Sequence, residues 1–140
     1  MEYKGEVYGA KIYDDYGHHP TEIKATLHGA RDLMAVNSNR FSVSDGRLWC
    51  IFQPHQYQRT YQLFNQFIDA FADADKIIIL PIYSVAGREK KEVKMKVSSK
   101  KLVEIMERKG YKNVLYLGSF KEAEDYLLDN LKAGDLAIIM

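Results

Sequence analysis

The amino-acid sequence predicts an α/β fold: a three-layer, mostly parallel sheet with helices on both faces. Three observations predict it. Leu48-Trp49-Cys50-Ile51-Phe52 and Lys76-Ile77-Ile78-Ile79-Leu80 are short apolar runs without alternation, the mark of strands covered on both faces. Other stretches carry apolar residues at i, i+3, i+4 and i+7, as helices with one buried face do. Strand and helix then alternate regularly, and every long connection can make a right-handed crossover.

Taken in order, Gly5 to Asp14 contains Val7-Tyr8 and Ile12-Tyr13, a β-prone stretch bent at Gly5 and Gly9. It predicts a short hairpin leading into the first sheet strand, which ends at Asp14-Asp15. Pro20 suits a first helical turn, with Glu22 near the positive end of the helix dipole. Ile23, Leu27, Ala30 and Met34 keep helical spacing, so the helix is expected to run to Leu33. From Ala35 to Gly46 the composition is polar and without period, which predicts a loop longer than the usual length of about 4 to 6 residues. Strand Leu48–Phe52 is stopped by Gln53-Pro54, and a second loop is expected from Gln53 to Gln58. The next helix carries Phe64, Phe67, Ile68 and Phe71 before Ala72-Asp73-Ala74-Asp75.

Lys76–Leu80 is a buried strand ended by Pro81, with a loop from Ile82 to Lys90. The basic alternation Val93-Lys94-Met95-Lys96-Val97 reads as a short edge strand or a solvated connector. Ser98 is placed to cap a helix from Ser99 to Lys109, with Leu102, Ile105 and Met106 on one face and Gly110 as its stop. Asn113 to Leu117 is the next strand. Ser119-Phe120-Lys121-Glu122 fits a capping box for a helix through Leu131, and after Gly134 the segment Asp135 to Met140 is a last strand. The order is Rossmann-like, with no internal repeat, no low-complexity segment and one domain.

Composition sets bounds on function. A chain of 140 residues removes roughly 68 % of its unfolded surface from water, enough for a core without staples. Its 20 basic and 19 acidic residues give a formal charge of +1, which supplies no field for nucleic acid or an acidic membrane surface. Cys50 is the single cysteine, so an internal disulfide and a cysteine-rich zinc framework are excluded, as suits a reducing cytosol. No apolar run approaches the roughly 20 residues of a membrane span, and Met1-Glu2-Tyr3-Lys4 begins no apolar signal core. The expectation is a soluble, cytoplasmic domain.

In a sheet of this kind the ligand lies beyond the carboxyl ends of the strands. Three polar loops are expected there: Asp14 to Thr21, Gln53 to Thr60, and Pro81 to Glu89, the last with Tyr83, Ser84, Gly87, Arg88 and Glu89. Together they bring Asp15, Tyr16, His18, His55, Tyr57 and Arg59 to one rim, a mixture suited to a polar or anionic small molecule. Arg59 can fork onto a carboxylate, and Asp15 can accept from a ribose hydroxyl or bind through a cation.

Plainer readings stand beside these. His18 and His19 are adjacent, so their side chains diverge, and with Asp14 and Asp15 they match no familiar metal-ligand spacing. Such a set would be needed for a metal-dependent hydrolase. A phosphate-receiving signalling domain needs an acceptor Asp after a middle strand, where this chain has Gln53-Pro54 and Pro81. His28 reads as surface. Cys50, Trp49 and the Phe64, Phe67, Phe71 stripe read as core. Arg88, Lys90, Lys91, Lys94, Lys96, Lys100 and Lys101 read as a solvated face or, as the sharper alternative, a phosphate contact. Neither Gly-x-x-x-x-Gly-Lys-Ser/Thr nor Gly-x-Gly-x-x-Gly follows the first strand, so the domain contributes at most one wall to a triphosphate site.

Two of these loops carry a resemblance. Asp14-Asp15-Tyr16-Gly17-His18-His19-Pro20-Thr21-Glu22-Ile23 and Phe52-Gln53-Pro54-His55-Gln56-Tyr57-Gln58-Arg59-Thr60 closely resemble, in order and separation, two signature stretches in the C-terminal domain of the Mur ligase family of peptidoglycan synthesis. Tyr83 to Lys90 and Gly134-Asp135-Leu136 are also similar to that family, so the resemblance spans nearly the whole chain. It is closest to the members that join L-alanine to UDP-N-acetylmuramate, and residues 1–140 correspond to their closing domain, with 1–8 as the tail of a linker from a central domain. The resemblance implies a reaction in which ATP phosphorylates the substrate carboxylate and the alanine amine attacks the acyl phosphate. It further implies that ATP and Mg are held mainly by the central domain and the uridine nucleotide by an N-terminal one, neither present here, so the isolated domain is expected to be inactive. Position by position, Asp15 contacts the nucleotide of ATP, Tyr16, His18 and Arg59 face the alanine and the acceptor carboxylate, and His55 supports them. These are binding and orienting roles; the resemblance implies no catalytic nucleophile and no metal ligand here. Gln56 stands where many members carry a basic residue.

Overall fold

The computed structural model describes the backbone of residues 1–41 and 46–140, and the side chains of 1–36 and 46–140. The elements are β1 (Glu2–Val7), β2 (Ala10–Asp14), α1 (Pro20–Phe41), β3 (Leu48–Phe52), α2 (Tyr57–Gln62), α3 (Phe64–Ile68), β4 (Lys76–Ile79), α4 (Lys91–Lys96), α5 (Ser99–Arg108), β5 (Val114–Tyr116), α6 (Phe120–Asn130) and β6 (Leu136–Ile139). They build one six-stranded sheet in the order β1-β2-β6-β3-β4-β5. Only β1 is antiparallel, paired to β2 through a turn in which Tyr8 and Gly9 both take positive φ, the geometry that matches strand twist. The remaining pairs are parallel.

Which face each helix covers follows from the order. From β3 to β5 the chain steps one strand at a time, and α3 and α5 share with α1 the face that carries Leu48, Cys50, Phe52, Ile77 and Ile79. From β5 it returns across three positions, and α6 lies on the opposite face, over Trp49, Ile51, Ile78 and Leu80. Right-handed crossovers require this, because reversing the direction along the sheet moves the helix to the other side. Each central strand therefore buries both faces, as its uninterrupted apolar run predicts. On the α6 side β6 offers the small Ala137.

The expected caps are present. Ser98 Oγ accepts the Lys101 N–H at 3.1 Å, and Ser119 Oγ accepts that of Glu122 at 3.1 Å, while Glu122 Oε2 reaches back to the Gly118 N–H at 2.7 Å. Three expectations are corrected. Helix α1 continues to Phe41, through Ala35 and most of the segment expected to loop; residues 42–45 of that segment lie outside the described residues. The helix expected around Phe64 is two short ones, the first starting already at Tyr57, and Phe71 reaches the core from the turn after α3. The basic alternation at Val93 to Val97 is neither strand nor bare connector: residues 91–96 form α4, with Val93 half-buried and Met95 82 % exposed. Residues 2–7, within the segment read as a linker tail, are β1.

At the amino end of the sheet one charge is buried. Asp135, with a side chain only 1 % exposed, pairs with Arg47 at 3.0 Å. It also accepts the N–H of Arg47 at 2.8 Å, of Lys132 at 3.1 Å and of the Trp49 indole at 2.9 Å. Burial alone would push its carboxyl up, but these donors, Arg47 foremost, hold it below the ordinary carboxylate range. The Arg47 guanidinium also lies over the Trp49 ring at 4.9 Å and donates to Asn130 O at 2.8 Å. Removing one partner leaves the other buried and uncompensated, so Asp135→Ala is expected to lower the unfolding free energy in urea by about 3 kcal/mol. The contribution is complete above an unfolded carboxyl pKa of about 3.9 and is lost as pH falls through the lower folded value. Acid should therefore weaken the unchanged chain more steeply than the variant.

Candidate functional site

The first rim loop is shaped by local hydrogen bonds. Asp15 N–H donates to Ile139 O at 2.9 Å, which ties the end of β2 to β6. Asp15 Oδ1 accepts the Gly17 N–H at 2.8 Å, and Oδ2 lies 2.7 Å from the amino group of Met1. A Cβ at Gly17 would sit 2.9 Å from Asp15 Oδ1 and 3.0 Å from Met140 Cε, so a side chain there would displace the ends of these two side chains. Glu22, in the first turn of α1, accepts the N–H groups of His19 at 3.0 Å and His18 at 3.1 Å, and these bonds lower its pKa. The loop is thus fastened to the start of the helix.

The two histidines diverge. His18 Nδ1 meets Tyr16 O at 2.8 Å, whereas His19 Nδ1 accepts the Thr21 N–H at 3.3 Å. His18 turns toward the second loop, where its ring stacks on His55 with centroids 6.1 Å apart and planes 27° apart. His55 in turn meets the Tyr83 ring at 5.4 Å. The three rings form a row supplied by the loops after β2, β3 and β4. The loops after β2 and β3 belong to strands separated by β6, and they meet above its end.

The second and third loops are joined by main-chain atoms. His55 and Tyr83 form a parallel bridge in which the Gln56 N–H donates to Tyr83 O and the Tyr83 N–H donates to Pro54 O, each at 2.8 Å. Gln56 takes φ 70°, a left-handed conformation unusual for a residue with a side chain. Its carbonyl accepts from both the N–H and the buried hydroxyl of Thr60. Gln56 offers no side-chain cap to α2; instead the Glu89 carboxylate of the third loop accepts the N–H groups of Tyr57 and Gln58 through Oε1 and the Ser84 hydroxyl at 2.7 Å through Oε2. Tyr83 and Glu89 thus join the rim, although Glu89 is 32 residues from Tyr57 and no local signal pairs them.

The expected residues divide accordingly. His18, His55 and Arg59 come together, whereas Asp15 stands at the same edge of the sheet with Gly17 as its partner. Arg59 lies in the first turn of α2, not in a loop, and is half-buried. Burial first, then the charges of His18 and Arg59, push the His55 imidazolium pKa down. Tyr16 is at the rim but 89 % exposed, open toward solvent. Tyr57 belongs to α2 and its ring faces Lys94 Nζ at 5.5 Å. Asp14 lies toward the sheet edge, 3.9 Å from Lys4 Nζ. Of the basic cluster, Lys96 lies 5.6 Å from the Tyr61 ring and Lys100 5.3 Å from that of Tyr116, while Lys101 donates to Lys96 O. His28 is on the surface, 3.3 Å from Asp73. Cys50 is fully buried, its thiol pushed far up by burial, and belongs to the core with Trp49 and the Phe67 and Phe71 rings.

The carboxyl edge of the parallel sheet thus carries a polar rim rich in imidazole and guanidinium, which defines an α/β domain whose polar side chains gather at the strand ends. The chain matches the family described as Mur ligase, glutamate ligase domain, over residues 1–140, and belongs to that family. It is 43 % identical over 138 residues to UDP-N-acetylmuramate–L-alanine ligase of Clostridium beijerinckii, covering 99 % of this chain and 27 % of that one. The ligase of the same name from Alkaliphilus metalliredigens is 41 % identical over 136 residues, covering 97 % and 26 %. The chain therefore spans about a quarter of the length of the curated relatives it matches. Among solved structures, a murein peptide ligase from Psychrobacter arcticus superposes with a TM-score of 0.68 at 23 % identity, over all of this chain and 26 % of that one. A domain from a Haemophilus ducreyi protein gives 0.64 at 19 %, over 99 % and 85 %. These likenesses confirm the α/β fold.

The ring row and the Arg59 charge give a direct spectroscopic expectation. His55 should titrate below the ordinary imidazole value of about 6.5 in NMR, and Arg59→Ala should move its midpoint upward. An unmoved midpoint would mean that the guanidinium does not face the row.

Proposed function

We propose that the chain is the C-terminal, closing domain of an ATP-dependent ligase that joins L-alanine to UDP-N-acetylmuramate in peptidoglycan synthesis, and hence serves cell shape and division. The observation that carries this reading is the convergence of His18, His55 and Arg59, from separate segments, on one open rim. The names of the relatives support the choice of L-alanine and UDP-N-acetylmuramate. In this reading residues 1–8 lead in from a central domain that holds the phosphates of ATP and Mg, an N-terminal domain holds the uridine nucleotide, and the enzyme works in the cytoplasm. Among the described residues no helix is long and apolar enough to cross a membrane.

The chemistry asked of this domain is placement. ATP supplies the phosphoryl group that converts the UDP-N-acetylmuramate carboxylate to an acyl phosphate; the alanine amine then attacks the carbonyl carbon, phosphate leaves with the C–O bonding pair, and the amine gives up a proton. Arg59 clamps the alanine carboxylate with its planar fork. An imidazole held neutral accepts from an ammonium instead of repelling it, so His55, with its lowered pKa, suits the other end of the amino acid. Tyr16 and His18 face the alanine and the acceptor carboxylate, and Asp15 contacts the nucleotide of ATP. Holding amine and acyl group together is worth several kcal/mol without any nucleophile from this domain, and closure brings the wall into place.

Joined to the central and N-terminal domains of a relative, the chain should confer alanine-dependent ATP hydrolysis; preference for another amino acid would overturn the substrate. In that protein Arg59→Ala should raise the alanine KM roughly 10- to 100-fold, the range expected for losing hydrogen bonds to a charged group, with little change in the KM for ATP. Equal effects on both would argue against the clamp.

A further inference from the structure

We infer that Glu89 is a positioning residue for the amino-acid site: its carboxylate, from the loop after β4, holds the first turn of α2 and so aims Arg59 at the rim. This rests on the reading of Arg59 as the carboxylate clamp.

The geometry is specific. Helix α2 has only six residues, starts from a strained Gln56, and receives no cap from that residue's side chain. A short helix with its first N–H groups free frays, because those groups have no partner within the helix. Glu89 supplies the missing acceptor to Tyr57 and Gln58, the two residues immediately before Arg59. Its second oxygen takes the Ser84 hydroxyl, so both oxygens are engaged and the side chain is half-buried. A carboxylate at this position also meets the positive end of the helix dipole. The loop that brings Glu89 is the one whose Tyr83 extends the ring row and whose backbone pairs with His55 and Gln56. Arg59 and His55 are thus fixed to the third loop through two independent links, one of side chain and one of main chain. Glu89 makes the first of these.

Loss of Glu89 has two opposed electrostatic consequences at His55. Removing a negative charge nearby can only lower an imidazolium pKa, whereas letting Arg59 swing away raises it. The direction of the His55 shift therefore separates displacement of Arg59 from a plain charge effect.

The test uses this chain for NMR and the joined, alanine-dependent enzyme for kinetics. In Glu89→Ala the His55 midpoint should rise, as in Arg59→Ala, and the alanine KM should rise roughly tenfold or more, as small misplacements of binding groups do, with the ATP KM unchanged. Glu89→Gln keeps an acceptor for the Tyr57 N–H and should recover most of the alanine KM; it also serves if the alanine variant does not fold. A His55 midpoint that falls or stays, or an ATP KM that rises as much as that for alanine, would overturn the role of Glu89. If Arg59→Ala itself leaves the alanine KM unchanged while Glu89→Ala still moves His55 upward, the clamp reading fails and the positioning of Arg59 stands.

Discussion

The buried carboxylate of Asp135 is the constraint on which the rest depends. It stands just before β6, the last strand, which has to enter the middle of the sheet between β2 and β3 after a return across three strand positions. Nothing in the apolar composition of β6 alone chooses that slot, since other parallel gaps would also bury it. Asp135 has donors only there: Arg47 and Trp49 at the start of β3, and Lys132 at the end of the return connection. An unpaired charge in the interior would cost several kcal/mol, so alternative placements are penalised more than the correct one is rewarded. The same contact fixes the register in which Leu48 and Leu136 pair, and with it the height of every loop at the far edge.

That height allows the rim to assemble. Because Ile139 stands beside Asp14 on one side and Ile51 on the other, the turns after β2 and β3 leave the sheet at one level and lean over β6 until His18 and His55 stack. Neighbouring strands are about 4.8 Å apart, so two loops separated by one strand are within reach of a pair of imidazoles.

Much of this was legible in the sequence, and the reasons are physical. Burial on two faces leaves the apolar runs Leu48–Phe52 and Lys76–Leu80, and local capping leaves Ser98 and Ser119 at fixed distances from the residues they serve. The rim residues were legible as a group because strand ends and polar loops coincide. What escaped depends on partners distant in the chain. Helix α2 begins at Tyr57, before the apolar spacing that starts at Phe64, because its acceptor is Glu89. Residues 93–97 alternate like a strand, yet only Val93 and Val97 turn inward, Met95 is left in solvent, the Lys94 and Lys96 ammonium groups lie over the Tyr57 and Tyr61 rings, and the backbone of 91–96 coils. The slot taken by β6 is likewise invisible locally, since Asp135 and Arg47 are 88 positions apart.

The union of the second and third loops runs largely through backbone groups at Pro54, Gln56 and Tyr83. Side chains at positions 55, 56 and 83 are therefore nearly relieved of architectural duty. They can drift, one replacement at a time, without loosening the frame that displays them. A wall built this way lets descendants of one ancestor acquire new preferences while keeping the scaffold unchanged.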